Sequence, residues 1–143
     1  MSHDVETVHA SCVALGGRGV LILGASGRGK SDLALRLIDR GARLVSDDYT
    51  VLSARGGRLL ASQPATIAGR IEVRGVGLIE LDAVGDVPLC LAVDLDREPE
   101  RLPEPRQISF LGLSLPAVAL AALEASAPLK LEAALTRFGL PLT

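Results

Sequence analysis

The residue types best suited to chemistry stand in one short segment, called the glycine loop here: Gly24, Ala25, Ser26, Gly27, Arg28, Gly29, Lys30 and Ser31. It matches the pattern G-x-x-x-x-G-K-[ST] in full. Glycines let main-chain N–H groups approach phosphate oxygens closely, and a helix starting near Lys30 directs its positive end at the same anion. In this pattern the lysine reaches the outer phosphates and the serine hydroxyl completes a magnesium shell. The loop therefore predicts a site for a nucleoside triphosphate with Mg²⁺.

Such a site also needs a carboxylate near the metal and, for phosphoryl transfer, a base near the acceptor hydroxyl. The candidates are the pair Asp47-Asp48 after a short strand, Glu72 in a glycine-interrupted strand, and Asp94 at the end of a buried strand. Since the carboxyl ends of strands line the ligand crevice of an open α/β sheet, the aspartate pair is expected to face the phosphates. Strand alternation would place Glu72 and Arg74 on one face. The residue pattern alone does not rank the candidates.

The elements that must position these residues are visible in the hydrophobic pattern. A buried strand over residues 20–23 precedes the glycine loop, and a helix over 31–40 follows it, with Gly41 as its C-terminal cap. Further strands are predicted over residues 8–15, 44–46, 49–54, 58–61, 71–81, 89–95, 107–113 and 116–120. Gly56 and Gly57 predict a hairpin, and Ser126 and Gly139 bound a final helix. One strand–helix–strand start followed by antiparallel strands predicts an α/β domain with a mixed sheet.

Bulk properties narrow the class of protein. The 143 residues are expected to form a single domain over residues 1–143, and a net charge of −2 without a basic run argues against nucleic acid as a partner. Cys12 and Cys90 stand in apolar runs, which favours buried free thiols over a disulfide. The start of the chain lacks the pattern of a signal peptide, and the longest uncharged stretch, 107–123, is too short to span a bilayer. A cytoplasmic protein without a membrane partner is expected.

The order of four elements resembles the catalytic domain of HPr kinase/phosphorylase, over residues 8–135. These elements are His9, the glycine loop, the Leu-Val-Ser-Asp-Asp run at 44–48 and the sequence IEVRGVGLI at 71–79. The glycine loop is shared by many families, whereas the last two elements are far more particular. The resemblance implies a P-loop-containing mixed β-sheet domain of the HPr kinase/phosphoenolpyruvate carboxykinase-like type. It also implies a protein serine kinase that uses ATP and Mg²⁺ to phosphorylate HPr or a nitrogen-system HPr-like carrier.

Roles for individual residues follow from the same resemblance. The glycine loop, Lys30 included, is implied to hold the phosphates, with Ser31 and Glu72 on the metal. Asp48 is implied to be the base toward the serine hydroxyl, and the acid when inorganic phosphate drives dephosphorylation. His9 is implied to lie near the reacting phosphate, and Arg101 to contribute in both directions.

Some expectations stay open at this point. The chain looks like a short form without the N-terminal domain of longer members, and the segment at 126–131 only loosely resembles the one linked to dephosphorylation. Kinase activity is therefore the better supported direction. Family members look like hexamers, so a homo-oligomer is expected. The alternatives are a small-molecule or carboxykinase-like kinase, and a nucleotide-binding regulatory module without kinase activity.

Overall fold

The fold is given by a computed structural model that describes residues 5–67 and 69–142. The strands are β1 (Val5–Val8), β2 (Ala10–Leu15), β3 (Arg18–Leu23), β4 (Arg43–Ser46), β5 (Thr50–Arg55), β6 (Arg58–Ser62), β7 (Arg70–Val73), β8 (Gly77–Glu80), β9 (Val87–Asp94), β10 (Arg106–Phe110) and β11 (Leu113–Ala119). The helices are α1 (Lys30–Asp39) and α2 (Ala127–Phe138), and a 3-10 turn covers Ala65–Ile67.

Nine of the strands form one curled mixed sheet that forks at β9. The first residues of β9 pair antiparallel with β6, which continues to β5 and β1. Its last residues pair parallel with β11, which pairs with β10. Along its other edge β9 pairs parallel with β3, followed by β2 and β4. The prediction of an α/β domain with a mixed sheet is confirmed.

The two faces of the sheet carry separate hydrophobic cores. Val20 and Ile22 of β3 point to the helical side and pack in one cluster with Leu33 of α1. Leu21 points the other way and packs in the second cluster, inside the curl, with Leu52 of β5. Each fully buried side chain of this kind contributes about 1.5–3 kcal/mol relative to an exposed one. The cores therefore fix the strand ends from which the polar residues project.

Helix α1 is positioned by its apolar face and by its last turn. Leu33 and Leu37, four residues apart, are fully buried against the sheet. At the C-terminal end, the N–H of Gly41 donates to Ile38 O and the N–H of Ala42 donates to Leu37 O, both at 3.0 Å. Gly41 has a φ of 111°, the left-handed conformation this cap requires. The predicted glycine cap is confirmed.

The chain crosses between the two arms of the sheet at two neighbouring places. It passes from β1 to β2 through His9, and from β4 to β5 through residues 47–49. The pairs that flank these crossings are Val8 with Thr50 and Cys12 with Ser46. The pairs on either side of the crossings therefore belong to one antiparallel register, although the strands are interrupted between them. This register places the two crossings side by side.

The predicted turn between the last two strands was wrong. The residue pattern predicts two strands, over 107–113 and 116–120, divided by a turn. In the structure β10 ends at Phe110 and the turn is made by Leu111 and Gly112, with φ values of 53° and 77°. Pro116 lies inside β11, opposite Gln107. A leucine at positive φ gives no turn signal in the sequence.

Four further predictions need correction. The strand expected over 8–15 is interrupted at His9, and the segment 71–81 is a separate hairpin of β7 and β8. Arg74 lies in the turn of that hairpin, so strand alternation does not place it on one face with Glu72. Ser126 and Gly139 bound α2 as predicted, but the Ser126 side chain makes no capping hydrogen bond at the start of the helix.

The prediction for the two cysteines agrees with the structure. Cys12 and Cys90 are both buried and free, and burial raises the pKa of the Cys12 thiol. In the described part of the chain, neither helix is long and apolar enough to cross a membrane.

Candidate functional site

The glycine loop connects the end of β3 to the start of α1. Gly27 and Gly29 have φ values of 86° and 93°, a conformation that other residues rarely adopt. The N–H of Arg28 donates to Ala25 O at 3.1 Å, and the N–H of Leu33 makes the first α-helical bond, to Gly29 O at 2.9 Å. The N–H groups of the first helical turn have no partner within the helix. This backbone is suited to surround an anion.

Lys30 places its cation inside the glycine loop. The residue is only 5% exposed. Its Nζ donates to Gly24 O at 2.7 Å and to Ala25 O at 3.4 Å. A buried ammonium group needs such acceptors, because burying a charge without partners is costly. The positive charge is thus already placed where the sequence predicts phosphate binding.

Asp47 lies at the junction of three elements. Its residue exposure is 7%. Oδ1 accepts hydrogen bonds from the hydroxyls of Ser31, at 2.6 Å, and Ser11, at 2.9 Å. Oδ2 accepts the main-chain N–H of Glu72 at 3.0 Å. Asp47 therefore joins the glycine loop to β2 and β7.

Asp48 lies beside Asp47 but faces solvent, with 53% of its side chain exposed. Its Oδ1 is 2.9 Å from His9 Nε2, which must donate because an ionised carboxylate only accepts. The Tyr49 ring lies against the imidazole, with 5.1 Å between centroids. Asp48 has a φ of 67°, and its N–H donates to the Ser11 hydroxyl at 3.0 Å. The carboxylate is thus oriented by the protein and open to a substrate.

Glu72 reaches the site through its main chain. The side chain is exposed, whereas neighbouring Ile71 is buried in the helical core and attaches the hairpin. The two residues predicted to hold the metal, Ser31 and Glu72, thus bind the same aspartate, Asp47. Within residues 5–67 and 69–142, no three His, Cys, Asp or Glu side chains are grouped as a preformed metal site.

Asp94, the third candidate carboxylate, has a local role. Its Oδ1 accepts the N–H of Asp96 at 2.9 Å, which shapes the turn after β9. Asp96 in turn accepts the N–H of Ala25 at 2.9 Å and pairs with Arg28 Nε at 3.0 Å. No sequence pattern pointed to Asp96. Asp47, and not Asp94, is the carboxylate that binds Ser31.

Arg101 lies in the exposed segment between β9 and β10. Among the described residues, no hydrogen bond or ion pair joins it to His9 or Asp48. Its role stays a prediction. Ser11 and Tyr49 are site residues that the sequence analysis missed, although Ser11 was visible as a polar residue within an apolar strand.

The order and spacing of these residues match a known family. The family model described as HPr Serine kinase C-terminal domain matches residues 2–86, which is more than half of the chain. The chain belongs to this family. The matched stretch contains His9, the glycine loop, Asp48 and Glu72, so the resemblance seen in the sequence is confirmed.

Relatives from bacteria support the assignment. HPr kinase/phosphorylase of Caldanaerobacter subterraneus subsp. tengcongensis is 40% identical over 111 residues, 75% of this chain and 36% of that relative. The protein of the same name from Clostridium botulinum (strain Eklund 17B / Type B) is 45% identical over 74 residues, 52% of this chain and 24% of that relative. The alignments thus span between a quarter and about a third of the relatives' own length.

A solved structure of the family has the same fold. It is the HPr(Ser) kinase/phosphatase from Coxiella burnetii, with a TM-score of 0.80 and 30% identity, and the alignment covers 92% of this chain and 95% of that one. The curled mixed sheet of this chain is therefore the fold of an HPr serine kinase C-terminal domain.

Proposed function

We propose that this chain is an ATP- and Mg²⁺-dependent protein serine kinase that phosphorylates HPr or a nitrogen-system HPr-like carrier. One observation carries the proposal. Asp47 binds the Ser31 hydroxyl of the glycine loop, and the next residue, Asp48, presents an exposed carboxylate held by His9. Asp48, the proposed base, is therefore the residue next to Asp47, whose carboxylate contacts the anion-binding glycine loop. That is the arrangement phosphoryl transfer to a hydroxyl requires.

The residues present fit a triphosphate with its metal. Lys30 and the main-chain N–H groups of the glycine loop would hold phosphate oxygens. Oxygen atoms are the preferred ligands of Mg²⁺, and the Ser31 hydroxyl and the Glu72 carboxylate would supply them, with Asp47 holding Ser31 in place. When bound, the metal would neutralise part of the charge on the phosphates.

In the proposed reaction, Asp48 accepts the proton of the acceptor serine while the serine oxygen bonds to the γ-phosphorus. The bond from that phosphorus to the β–γ bridging oxygen breaks, and ADP leaves. His9 keeps the Asp48 carboxylate oriented by donating to Oδ1. Lys30 stabilises charge on the transferred group. With phosphoserine and inorganic phosphate as substrates, an oxygen of inorganic phosphate would bond to the phosphoserine phosphorus while the bond from that phosphorus to the serine oxygen breaks. Protonated Asp48 would give its proton to the serine oxygen, and pyrophosphate would leave.

The acceptor is proposed to be a protein because of the surface beside the site. The hairpin that carries Glu72 exposes the apolar side chains of Val76 and Leu78. Exposed apolar groups next to a polar centre favour contact with another protein. We further propose a homo-oligomer, a hexamer by family likeness, which sedimentation of the purified protein would test. The role of Arg101 in both directions belongs to the same proposal.

The test is mass spectrometry of purified HPr after incubation with this protein, ATP and Mg²⁺. We expect a single phosphate on a serine of HPr, and none when Lys30→Ala replaces the wild-type protein. Equal transfer by both proteins would contradict the proposal. Nucleotide binding without transfer to any HPr-like carrier would instead favour a regulatory module.

A further inference from the structure

Ser11 is a fully buried serine in β2, a strand whose other residues are apolar. A buried hydroxyl needs hydrogen-bond partners, because burying it unpaired is costly. Both partners of Ser11 lie in the segment 47–49. Its Oγ donates to Asp47 Oδ1 at 2.9 Å and accepts the N–H of Asp48 at 3.0 Å. One hydroxyl therefore lies between the carboxylate that holds Ser31 and the main chain of the proposed base.

The bond from the Asp48 N–H lies where main-chain pairing is interrupted. Strands β4 and β5 are separated here by residues 47–49. In the described part of the chain, the acceptor of this N–H is the Ser11 hydroxyl and no main-chain carbonyl. The hydroxyl thus takes the place that a strand carbonyl has in a continuous antiparallel ladder.

The conformation of Asp48 depends on such support. Its φ of 67° is left-handed, and residues other than glycine keep this conformation only where their surroundings fix it. The N–H of Tyr49 donates to Asp47 O at 2.7 Å, so the turn is tight. This turn brings the Asp48 carboxylate to 2.9 Å from His9 Nε2. Without an acceptor for its N–H, the peptide before Asp48 would be free to rotate and to move the carboxylate away from His9.

We infer that Ser11 is a positioning residue for phosphoryl transfer, which holds Asp48 in the conformation that presents its carboxylate to the acceptor serine. The inference rests on the proposed function, in which Asp48 is the base. The bond to Asp47 is the less critical of the two, because that carboxylate still accepts from Ser31 and from the N–H of Glu72. Loss of the Ser11 hydroxyl should therefore slow the transfer step and spare the binding of ATP and Mg²⁺.

The first experiment compares the kinetics of Ser11→Ala with those of a matched control, Thr50→Val. Thr50 is also fully buried at this crossing, but its Oγ1 donates to Ala10 O, at 2.8 Å, and among the described residues to neither aspartate. Ser11→Ala should lower kcat for HPr phosphorylation about tenfold, the effect of one ordinary hydrogen bond, with KM for ATP and the half-saturating Mg²⁺ concentration unchanged. Thr50→Val should lower the unfolding temperature but keep kcat, and Ser11→Thr, which keeps the hydroxyl, should recover kcat.

A double-mutant cycle tests whether Ser11 acts through the base. In the Asp48→Asn background, Ser11→Ala should cause no further loss of kcat, because the carboxylate that it positions is gone. Additive losses would overturn the inference. So would equal losses of kcat in Ser11→Ala and Thr50→Val, a wild-type kcat in Ser11→Ala, or a loss confined to KM for ATP.

NMR of the His9 ring nitrogens tests the position of Asp48 without any activity. These signals report the hydrogen bond to Asp48, so they should change in Asp48→Asn. We expect the same change in Ser11→Ala and wild-type signals in Thr50→Val. Wild-type signals in Ser11→Ala would overturn the inference. If the signals change as expected but the wild type phosphorylates no HPr-like carrier, the proposed function fails, and the support of Asp48 by Ser11 stands.

Discussion

The Ser31 hydroxyl donates a 2.6 Å hydrogen bond to Asp47 Oδ1, so the first turn of α1 is joined directly to the end of β4. The same oxygen accepts from Ser11, and the other carboxylate oxygen accepts the N–H of Glu72. One buried carboxylate thus fixes the distances between the glycine loop, the proposed metal ligand and the neighbouring base. Removing it should affect stability and activity together.

Replacing Asp47 by alanine leaves two hydroxyls and one N–H without their acceptor. Since hydrogen bonds to a charged group are worth about 1.5–3 kcal/mol, we expect the free energy of unfolding to fall by about 3 kcal/mol. Asp94→Ala is the control, because that carboxylate also ends a strand but, among the described residues, accepts only the N–H of Asp96. Urea denaturation of both variants is the measurement. A smaller loss for Asp47→Ala than for Asp94→Ala would contradict the role described here.

The Asp48→Asn substitution should separate chemistry from binding. The side chain keeps its size, and asparagine accepts the left-handed backbone at this position. We expect HPr phosphorylation to fall by about 10²–10⁴-fold, the usual contribution of a general base, while ATP affinity stays near that of the wild type.

The chain offers a matched control for this change. Asp86 also has a positive φ, of 52°, and its carboxylate accepts a side-chain hydrogen bond, from Ser62. Asp86→Asn should keep full transfer activity. If initial rates of Asp48→Asn and Asp86→Asn are alike, Asp48 is not the base.

The Gly29→Ala substitution should damage the glycine loop in two ways. The residue has a φ of 93°, and a Cβ here would lie 3.3 Å from both Ala122 Cβ and Leu123 Cδ2. Backbone strain alone costs about 1–2 kcal/mol. Gly57→Ala measures that strain without the contact, because Gly57 has a φ of 78° and a Cβ added there would have no atom of the described residues within 4 Å. Thermal unfolding should show the larger loss for Gly29→Ala, and calorimetry should show weaker ATP binding for that variant only.

The ion pair between the two helices should make stability depend on pH. Arg40 donates to Glu132 at 2.8 and 2.9 Å, and this hydrogen bonding lowers the pKa of Glu132 below its ordinary value of 4.5. The folded state therefore holds the charged form more firmly than the unfolded state does. The stabilisation is complete above pH 4.5 and is lost as pH falls through the lowered pKa.

Denaturation of wild type and Glu132→Gln across this range is the measurement. The wild type should be slightly more stable at pH 7, by the small amount typical of exposed pairs, and the difference should disappear in acid. If the stability difference between wild type and Glu132→Gln instead grew as the pH fell, the predicted direction of the pH dependence would be wrong.

The sequence predicted the parts of the molecule that depend on local chemistry. The glycine loop, the capped helix after it and the hairpin at Gly56 and Gly57 all follow from residues next to one another. The fork of the sheet at β9 does not, because nothing local determines that β6 and β11 pair with different ends of the same strand.

The same limit applies to the site. The residue pattern alone named the pair Asp47-Asp48, Glu72 and Asp94 as candidate carboxylates but did not rank them, since the partners that distinguish Asp47 and Asp48 lie far away in the chain. Asp47 meets Ser11 across 36 positions and Glu72 across 25. Only the antiparallel register between the two crossings brings His9 to Asp48.

That shared register has a consequence for how the protein can change over evolution. A surface loop tolerates added residues. The crossings at His9 and at residues 47–49 differ from such a loop, because the strand pairs on both sides of them belong to one antiparallel register. Adding a residue to the segment between Val8 and Ala10 would turn every later side chain of β2 to the opposite face, unless the segment at 47–49 lengthened as well. Length changes at these two places should therefore occur in pairs. The distance between the His9 imidazole and the Asp48 carboxylate is kept by the alignment of the strands that flank them.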